Sequence, residues 1–374
     1  EQFRRSHEQE PTDPGPLSNL GATYAERAAI FRELGKKESA QKELDQAIDN
    51  FSQALGQYPD YLEALLGRGE TRMRFEELDA ALQDLLTAQR VAPRDPRVEY
   101  RLGGVYERLA ERAASGNNIA SAREYLQQAE RSYGRTLRVW PQDPRALLGR
   151  GRVRHRLWQL AQSHGGTKND PSLVKQAIAD FDAAEAWGAG KLGRDALAGL
   201  YSQRADLKAG SGREDEAIVD YQLATQQGGA GASIHLRLGW ARLLDTLSAE
   251  KQFDQALQGS DQLNVRQQAE AYNGRGYAEA LLGKDTKACA DADAAVKLAG
   301  GRWQVLYNAA TVYAVATGIA EYELQDSKLA DARAKRTLDL LRKAIGLGLD
   351  KDIIRQDRAF VSLKHRPEFQ AMVE

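Results

Sequence analysis

A single cysteine, Cys289, rules out any disulfide within the chain. It lies in the segment KACADADAAV, on an expected packing face, and reads as a small buried side chain rather than a reactive thiol. Long apolar runs are missing too. A membrane-spanning helix needs ~18–20 such residues, and the stretch from Val312 to Ala320 falls short. Net charge is almost nil: 52 Lys and Arg against 53 Asp and Glu leave −1. That balance argues against nucleic acid or an anionic membrane as the target of the chain as a whole.

Patterns that carry chemistry are equally scarce. There is no G-x-S-x-G, and none of the five histidines stands four residues from a second ligand in a metal-binding motif. The string GAGKLG, residues 188–193, fits G-x-G-x-x-G in letters only. A dinucleotide site needs a strand before it, and here a helix is expected. Asp291 and Asp293 in DADAA point to different faces of a helix, and no loop there offers calcium further oxygens. No catalytic, cofactor-binding or metal-binding residue is assigned, and no enzyme activity is expected.

The composition, 42% hydrophobic and 28% charged, suits a folded protein rather than a disordered one. The stretch ALLGRGETRMRFEELDAALQDLLTAQRVAP, residues 64–93, shows how it is organised. Gly69 and Ala81 are twelve apart, Ala88 follows seven after Ala81, and Pro93 comes five later. A small residue on one helix facing a small residue on the next lets two antiparallel helices approach closely. Ala88 is two turns beyond Ala81 on the same face, and proline stops the second helix.

The pattern recurs. Gly21 goes with Ala47, Phe51 and Ala54; Gly103 with Ala129 and Tyr133; Gly151 with Ala177, Phe181 and Ala184. Ala205 goes with Ala217, Tyr221 and Ala224; Gly239 is paired with Ala256 and Leu263; Gly276 with Ala288, Ala292 and Ala295. Ala309 leads a last unit whose second helix is placed near Thr337 to Gly346. In units one, three and four the small-to-small spacing is 26 instead of 12, a gain of 14 residues. Split evenly, each helix gains seven residues, roughly 10 Å. Long helices are expected in units one and three, and a partly open loop over residues 163–171 in unit four.

These units resemble the tetratricopeptide repeat, a helix–turn–helix unit of 34 residues. The resemblance covers residues 17–348 and implies an all-α, right-handed superhelical solenoid of about eight repeats. Residues 1–16 read as a flexible lead-in. Residues 349–374 read as short helices that cap the last apolar face. This ending, with Asp357 and then Arg366-Pro367-Glu368-Phe369, is similar to repeat regions attached to planctomycete-type Ser/Thr kinases and points to a bacterial source. The kinase motifs themselves are absent. The chain begins at Glu1, which reads as a processed or trimmed form, and the compartment stays open between cytoplasm and periplasm.

The resemblance implies that first helices line a concave groove. Carried onto this sequence, the groove positions include Arg97, Tyr100 and Arg108, then Arg145, Arg152, His155 and Arg156, then Trp240 and Leu244, then Asn273 and Tyr277. The Arg-rich run from 145 to 156 could grip carboxylates, and Trp240 with Tyr277 suits an apolar anchor. Lys and Asn positions of the family's carboxylate clamp are matched only by Asn273, which speaks against a chaperone-type C-terminal tail. The expected function is a non-catalytic scaffold for a protein or peptide partner, acidic in part. The first alternative is a structural subunit of a larger complex or homo-oligomer. The second is RNA binding through the Arg cluster, against which stand the net charge and the lack of neighbouring aromatics.

Overall fold

The computed structural model describes residues 2–3, 12–163, 170–228, 231–243 and 245–374. Among these, all regular structure is helical. The chain forms two compact units, residues 1–192 and 193–374.

The first unit has four helix pairs: α1 (Pro14–Glu33) with α2 (Lys37–Gln57), α3 (Leu62–Arg74) with α4 (Leu78–Val91), α5 (Pro96–Ser115) with α6 (Ile119–Val139), and α7 (Pro144–Ser163) with α8 (Pro171–Gly188). Asp–Pro pairs start four of them. The carboxylates of Asp13, Asp95, Asp143 and Asp170 accept the first free N–H groups, and the following proline fills a position where no donor is needed. First helices lie beside one another, and each second helix packs on the next first helix.

The sequence expectation of seven extra residues per helix holds in units one and three. α1 and α2 have 20 and 21 residues and α5 and α6 have 20 and 21, against 13 and 14 for α3 and α4. The turns carry left-handed residues at equivalent places: Gly35, Glu76 and Asn117. The loop expected in unit four lies largely outside the described residues, as does most of the 1–16 lead-in.

The second unit pairs α9 (Arg194–Gly210) with α10 (Glu214–Gln226), α11 (Ala232–Ala241) with α12 (Thr246–Gln258), α13 (Val265–Leu281) with α14 (Asp285–Lys297), and α15 (Trp303–Gly318) with α16 (Ser327–Gly346). Two details differ from the sequence reading. Gly239 packs on Phe253, so unit six uses Ala249, Phe253 and Ala256; Leu263 lies beyond the helix. The hairpin is two residues shorter than its neighbours, and the pattern slipped with it. α16 also starts ten residues before Thr337, capped by Asp326, whose carboxylate accepts from the Leu329 N–H at 3.0 Å. Beyond it, α17 (Lys351–Gln356), a 3-10 turn and α18 (Pro367–Val373) bring Ile354, Phe360, Leu363 and Phe369 into the core of α15 and α16.

One ring recurs between helices. A Cβ on Gly21 or on Gly67 would sit within 3 Å of Phe51; Gly103 and Gly149 clasp Tyr133 in the same way, and Gly239 and Gly274 clasp Phe253. Each ring of a second helix is thus held between two first helices. A buried ion pair recurs as well. Asp84, Asp180, Asp220 and Asp291 accept both arms of Arg68, Arg150, Arg204 and Arg275, at 2.6–3.0 Å. Asp291 and Asp293 do serve different faces: Asp293 pairs with Arg336 at 2.7 Å. Cys289 is partly covered, and burial pushes its thiol up to about 11, consistent with a packing role.

Two outcomes test this packing. Gly149→Ala drives a methyl to 2.6 Å from the Tyr133 ring and should cost about 1–3 kcal/mol in denaturant unfolding. Gly134→Ala, where a methyl meets nothing, should gain up to about 0.5–1 kcal/mol; equal effects would refute the wedge. The second concerns Glu279, which is buried with Oε2 unpartnered. Burial first, then the charge of Asp291, pushes its carboxyl up to about 7. The folded state therefore holds this proton more tightly than the unfolded one, and stability from this group falls as pH rises from about 4.5 through 7. Glu279→Gln should raise Tm at pH 8 by about 2–4 °C, with the gain fading toward pH 4.5. A gain that is constant with pH would contradict this assignment.

Candidate functional site

The first unit carries a groove of about 1100 Å³ across α3, α5 and α7. Arg97, Tyr100, Arg108, Arg145, Arg152 and Arg156 all line it, so six of the seven positions expected in this unit meet in one place. Arg32, Arg74 and Arg101 join them. Five acids, Glu70, Glu76, Glu107, Glu111 and Asp143, line it with these eight arginines, and three more just outside pair with two of them: Glu63 and Asp95 with Arg97, and Glu26 with Arg74.

His155 is the exception. It is buried and stacks on Trp158, with ring centroids 5.8 Å apart. Four residues after Gly151, it follows the face that packs on Phe181 rather than the groove.

The floor is a buried network. Tyr133, wedged between Gly103 and Gly149, donates its hydroxyl to Glu107 Oε2 at 2.6 Å. Burial first, then the Glu107 charge, pushes this phenol well above its ordinary value, so it stays a donor. Arg152 adds Nη2 to the same oxygen at 2.9 Å and Nε to Oε1 at 3.3 Å. Arg156 is shared between Glu111 and Glu107. Arg97 reaches Asp95 at 2.7 Å and Glu63 at 2.9 Å, and Arg108 bonds Glu76. Arg145 is different. Its side chain is 65% exposed, its nearest carboxylate, Asp143, is 3.6 Å away, and its guanidinium lies 5.5 Å from the Tyr100 ring centre.

The groove opens onto a second hollow of about 670 Å³ that shares Trp140, Asp143 and Arg145 and ends at Lys191. Trp140 was not found from the sequence. It closes α6 ahead of Pro141, so it reads as a helix stop, yet 41% of it is exposed. Lys191 belongs to GAGKLG, which is a turn: the Lys191 and Leu192 N–H groups return to the Gly188 carbonyl.

In the second unit, Trp240, Asn273 and Tyr277 share a smaller cavity. Trp240 is about a third exposed and Tyr277 half-buried, but Asn273 is 1% exposed and donates Nδ2 to the Val305 carbonyl at 3.1 Å, an inward position. Leu244 lies outside the described residues. Among the described residues, no group of His, Cys, Asp and Glu could hold a metal ion, and no helix is long and apolar enough to cross a membrane.

Pairing predicts which substitutions the groove tolerates. Arg152→Glu sets a carboxylate beside buried Glu107 and should cost about 2–4 kcal/mol of stability. Arg145→Glu should stay within about 0.5 kcal/mol. Thermal or urea melts of the two variants distinguish this network from a freely solvated basic face, for which both would be silent.

Residues 39–100, from α2 into α5, match the family model described as tetratricopeptide repeat. No curated protein matches the chain. Among solved structures, a thermophilic tetratricopeptide protein of Thermus thermophilus is 23% identical, covers 60% of this chain and 99% of its own, and superposes with a TM-score of 0.40. A tetratricopeptide protein of Parabacteroides merdae is 16% identical over 92% and 98%, with a TM-score of 0.36. PilF of Pseudomonas aeruginosa is 17% identical over 65% and 92%, with a TM-score of 0.42. Residues 39–100 thus carry the tetratricopeptide repeat match, and helix pairs continue on either side of them.

Proposed function

We propose that the chain is a non-catalytic scaffold that holds an acidic segment of a protein partner in the arginine-lined groove of its first unit. Tetratricopeptide repeats generally bind proteins, which sets the class of partner. The observation that carries the rest is Arg145, exposed over Tyr100 and only loosely met by Asp143, in a groove lined by eight arginines. Most of the arginines are already paired, so an acidic ligand competes for shared donors. Among the described residues Lys191 makes no ion pair and Arg145 only the 3.6 Å one to Asp143, so both offer charge to a ligand. Tyr100, Trp140 and Met73 give apolar surface between the charges, which suits acids interleaved with large apolar side chains.

RNA is the second reading, and one observation favours it more than the sequence did: aromatic rings do stand beside the arginines. The five interleaved acids weigh against a phosphate backbone. A kinase-linked ancestry is supported by the C-terminal motif alone, and packing accounts for much of that motif. Arg366 pairs with Asp331 at 2.7 Å, Pro367 opens a helix and Phe369 is buried.

The test is a fluorescence-anisotropy titration with a labelled peptide that alternates Glu with Leu, beside its Gln counterpart. The acidic peptide should bind, the Gln peptide should not, and Arg145→Glu should weaken binding about tenfold. Equal binding of both peptides would sink the proposal. Tighter binding of oligouridylate, with a steep salt slope, would transfer the groove to RNA.

A further inference from the structure

The cavity in the second unit has the opposite electrostatic character. It holds about 210 Å³ and is bounded by Trp240, Tyr277 and Tyr307, with Asn273 and Asp357 as its polar groups of interest. Asp357 is the one acidic side chain on its lining; no Lys or Arg lines it. The carboxylate accepts from the Ala359 N–H at 2.8 Å and from the Tyr307 hydroxyl. Among the described residues it makes no ion pair. Burial first, and then this charge, raises the phenols of Tyr277 and Tyr307, so both rings stay neutral.

Asn273 supplies an independent observation. The side chain is almost fully buried, and its orientation is fixed, because the Val305 carbonyl needs the amide nitrogen. That leaves Oδ1 without a partner, on a residue that lines the cavity. A buried acceptor of this kind calls for a donor. Trp240 is held in place by an edge-on contact with Phe253, 5.3 Å between ring centres. The cavity thus combines a carboxylate with no cation beside it among the described residues, three electron-rich rings, and a wall residue whose buried amide oxygen lacks a partner.

We propose that this cavity binds a primary alkylammonium group, such as the side chain of a lysine on a partner segment. The ammonium's charge complements the Asp357 carboxylate, its N–H groups can donate to that carboxylate, and it is attracted to aromatic faces. A quaternary ammonium satisfies the rings but has no N–H for the carboxylate, so the primary amine is preferred. The proposal is independent of the acidic-peptide reading, since it concerns another unit and a ligand of opposite charge.

The experiment is a set of titrations followed by the Trp240 indole N–H signal in NMR, assigned with Trp240→Phe. The probes are n-butylammonium, choline, and a Gly-Gly-Lys-Gly-Gly peptide, blocked at both ends, beside its norleucine counterpart. Butylammonium should shift the signal and bind more tightly than choline. Asp357→Asn removes the charge, keeps an oxygen for the Ala359 N–H and turns the other position into an N–H donor that the Tyr307 hydroxyl can accept; it should weaken butylammonium by about tenfold while the melting curve stays in place. Trp240→Leu, read by calorimetry, should weaken it several-fold and serves if the Asn variant misfolds. A lysine peptide that outbinds butylammonium points to a partner chain; the reverse order points to a free amine. The proposal fails if the norleucine peptide binds as well as the lysine one, if no probe shifts the signal, or if a folded Asp357→Asn binds unchanged.

Discussion

An aromatic ring clasped between two glycines sets the spacing of the helices, and much of the first unit depends on it. Phe51 and Tyr133 each project from a second helix into a space that exists only because Gly21 and Gly67, or Gly103 and Gly149, have no Cβ. The contact is short-range and steric, so a single methyl is felt at once. It joins a helix pair to itself and to the next pair in one contact. The second unit repeats it with Phe253 between Gly239 and Gly274. Where the ring is Tyr133, its hydroxyl does a further task, fixing Glu107 under the groove. The device that spaces the helices therefore also orients the carboxylate on which Arg152 rests.

The inserted residues show why this device tolerates long hairpins. Gly21, Gly69, Gly103 and Gly151 are each the eighth residue of their helices, whatever the helix length. Ala47, Ala81 and Ala129 each stand ten residues before the end of theirs. All the extra length lies at the hairpin tip, seven residues on each side. Seven residues are about two turns, with a drift of only about 20°, so the added turns keep the buried stripe on the same face. The ion pairs keep count too. Arg68 and Asp84 are 16 apart, Arg150 and Asp180 are 30 apart, and the difference is the inserted 14.

This explains how much was legible in the sequence. Small residues at fixed spacing report a contact between backbones, and that contact repeats, so the helix pairs and the length of their extensions could be read directly. The groove was legible in part, because Arg145, Arg152 and Arg156 share a face by helical periodicity alone. What could not be read was the side chain's choice between two neighbours. His155 and Asn273 occupy nominal groove positions but turn inward, one to Trp158 and the other to the Val305 carbonyl. Unit six was misaligned because the glycine-to-alanine spacing shrank to ten; the Ala249-Phe253-Ala256 triplet, a copy of Ala47-Phe51-Ala54, was the signal that could have corrected it.

The pairing of charges also decides what kind of binding surface the groove can be. Glu107 is buried under it and accepts from Tyr133 and Arg152, so removing either donor exposes the cost of an uncompensated carboxylate. Such a residue cannot be spared for a ligand without loss of the floor. Arg145, by contrast, is solvent-facing and bound mainly by a ring, so it can swing to an incoming carboxylate at little structural cost. Specificity would then come from a few loosely held cations at the rim, over a rigid base whose own charges are already satisfied. Under the proposed acidic-segment binding, such a groove would reward a ligand for the spacing of its acids rather than for their number, because only acids that reach the loosely held cations find donors not already engaged.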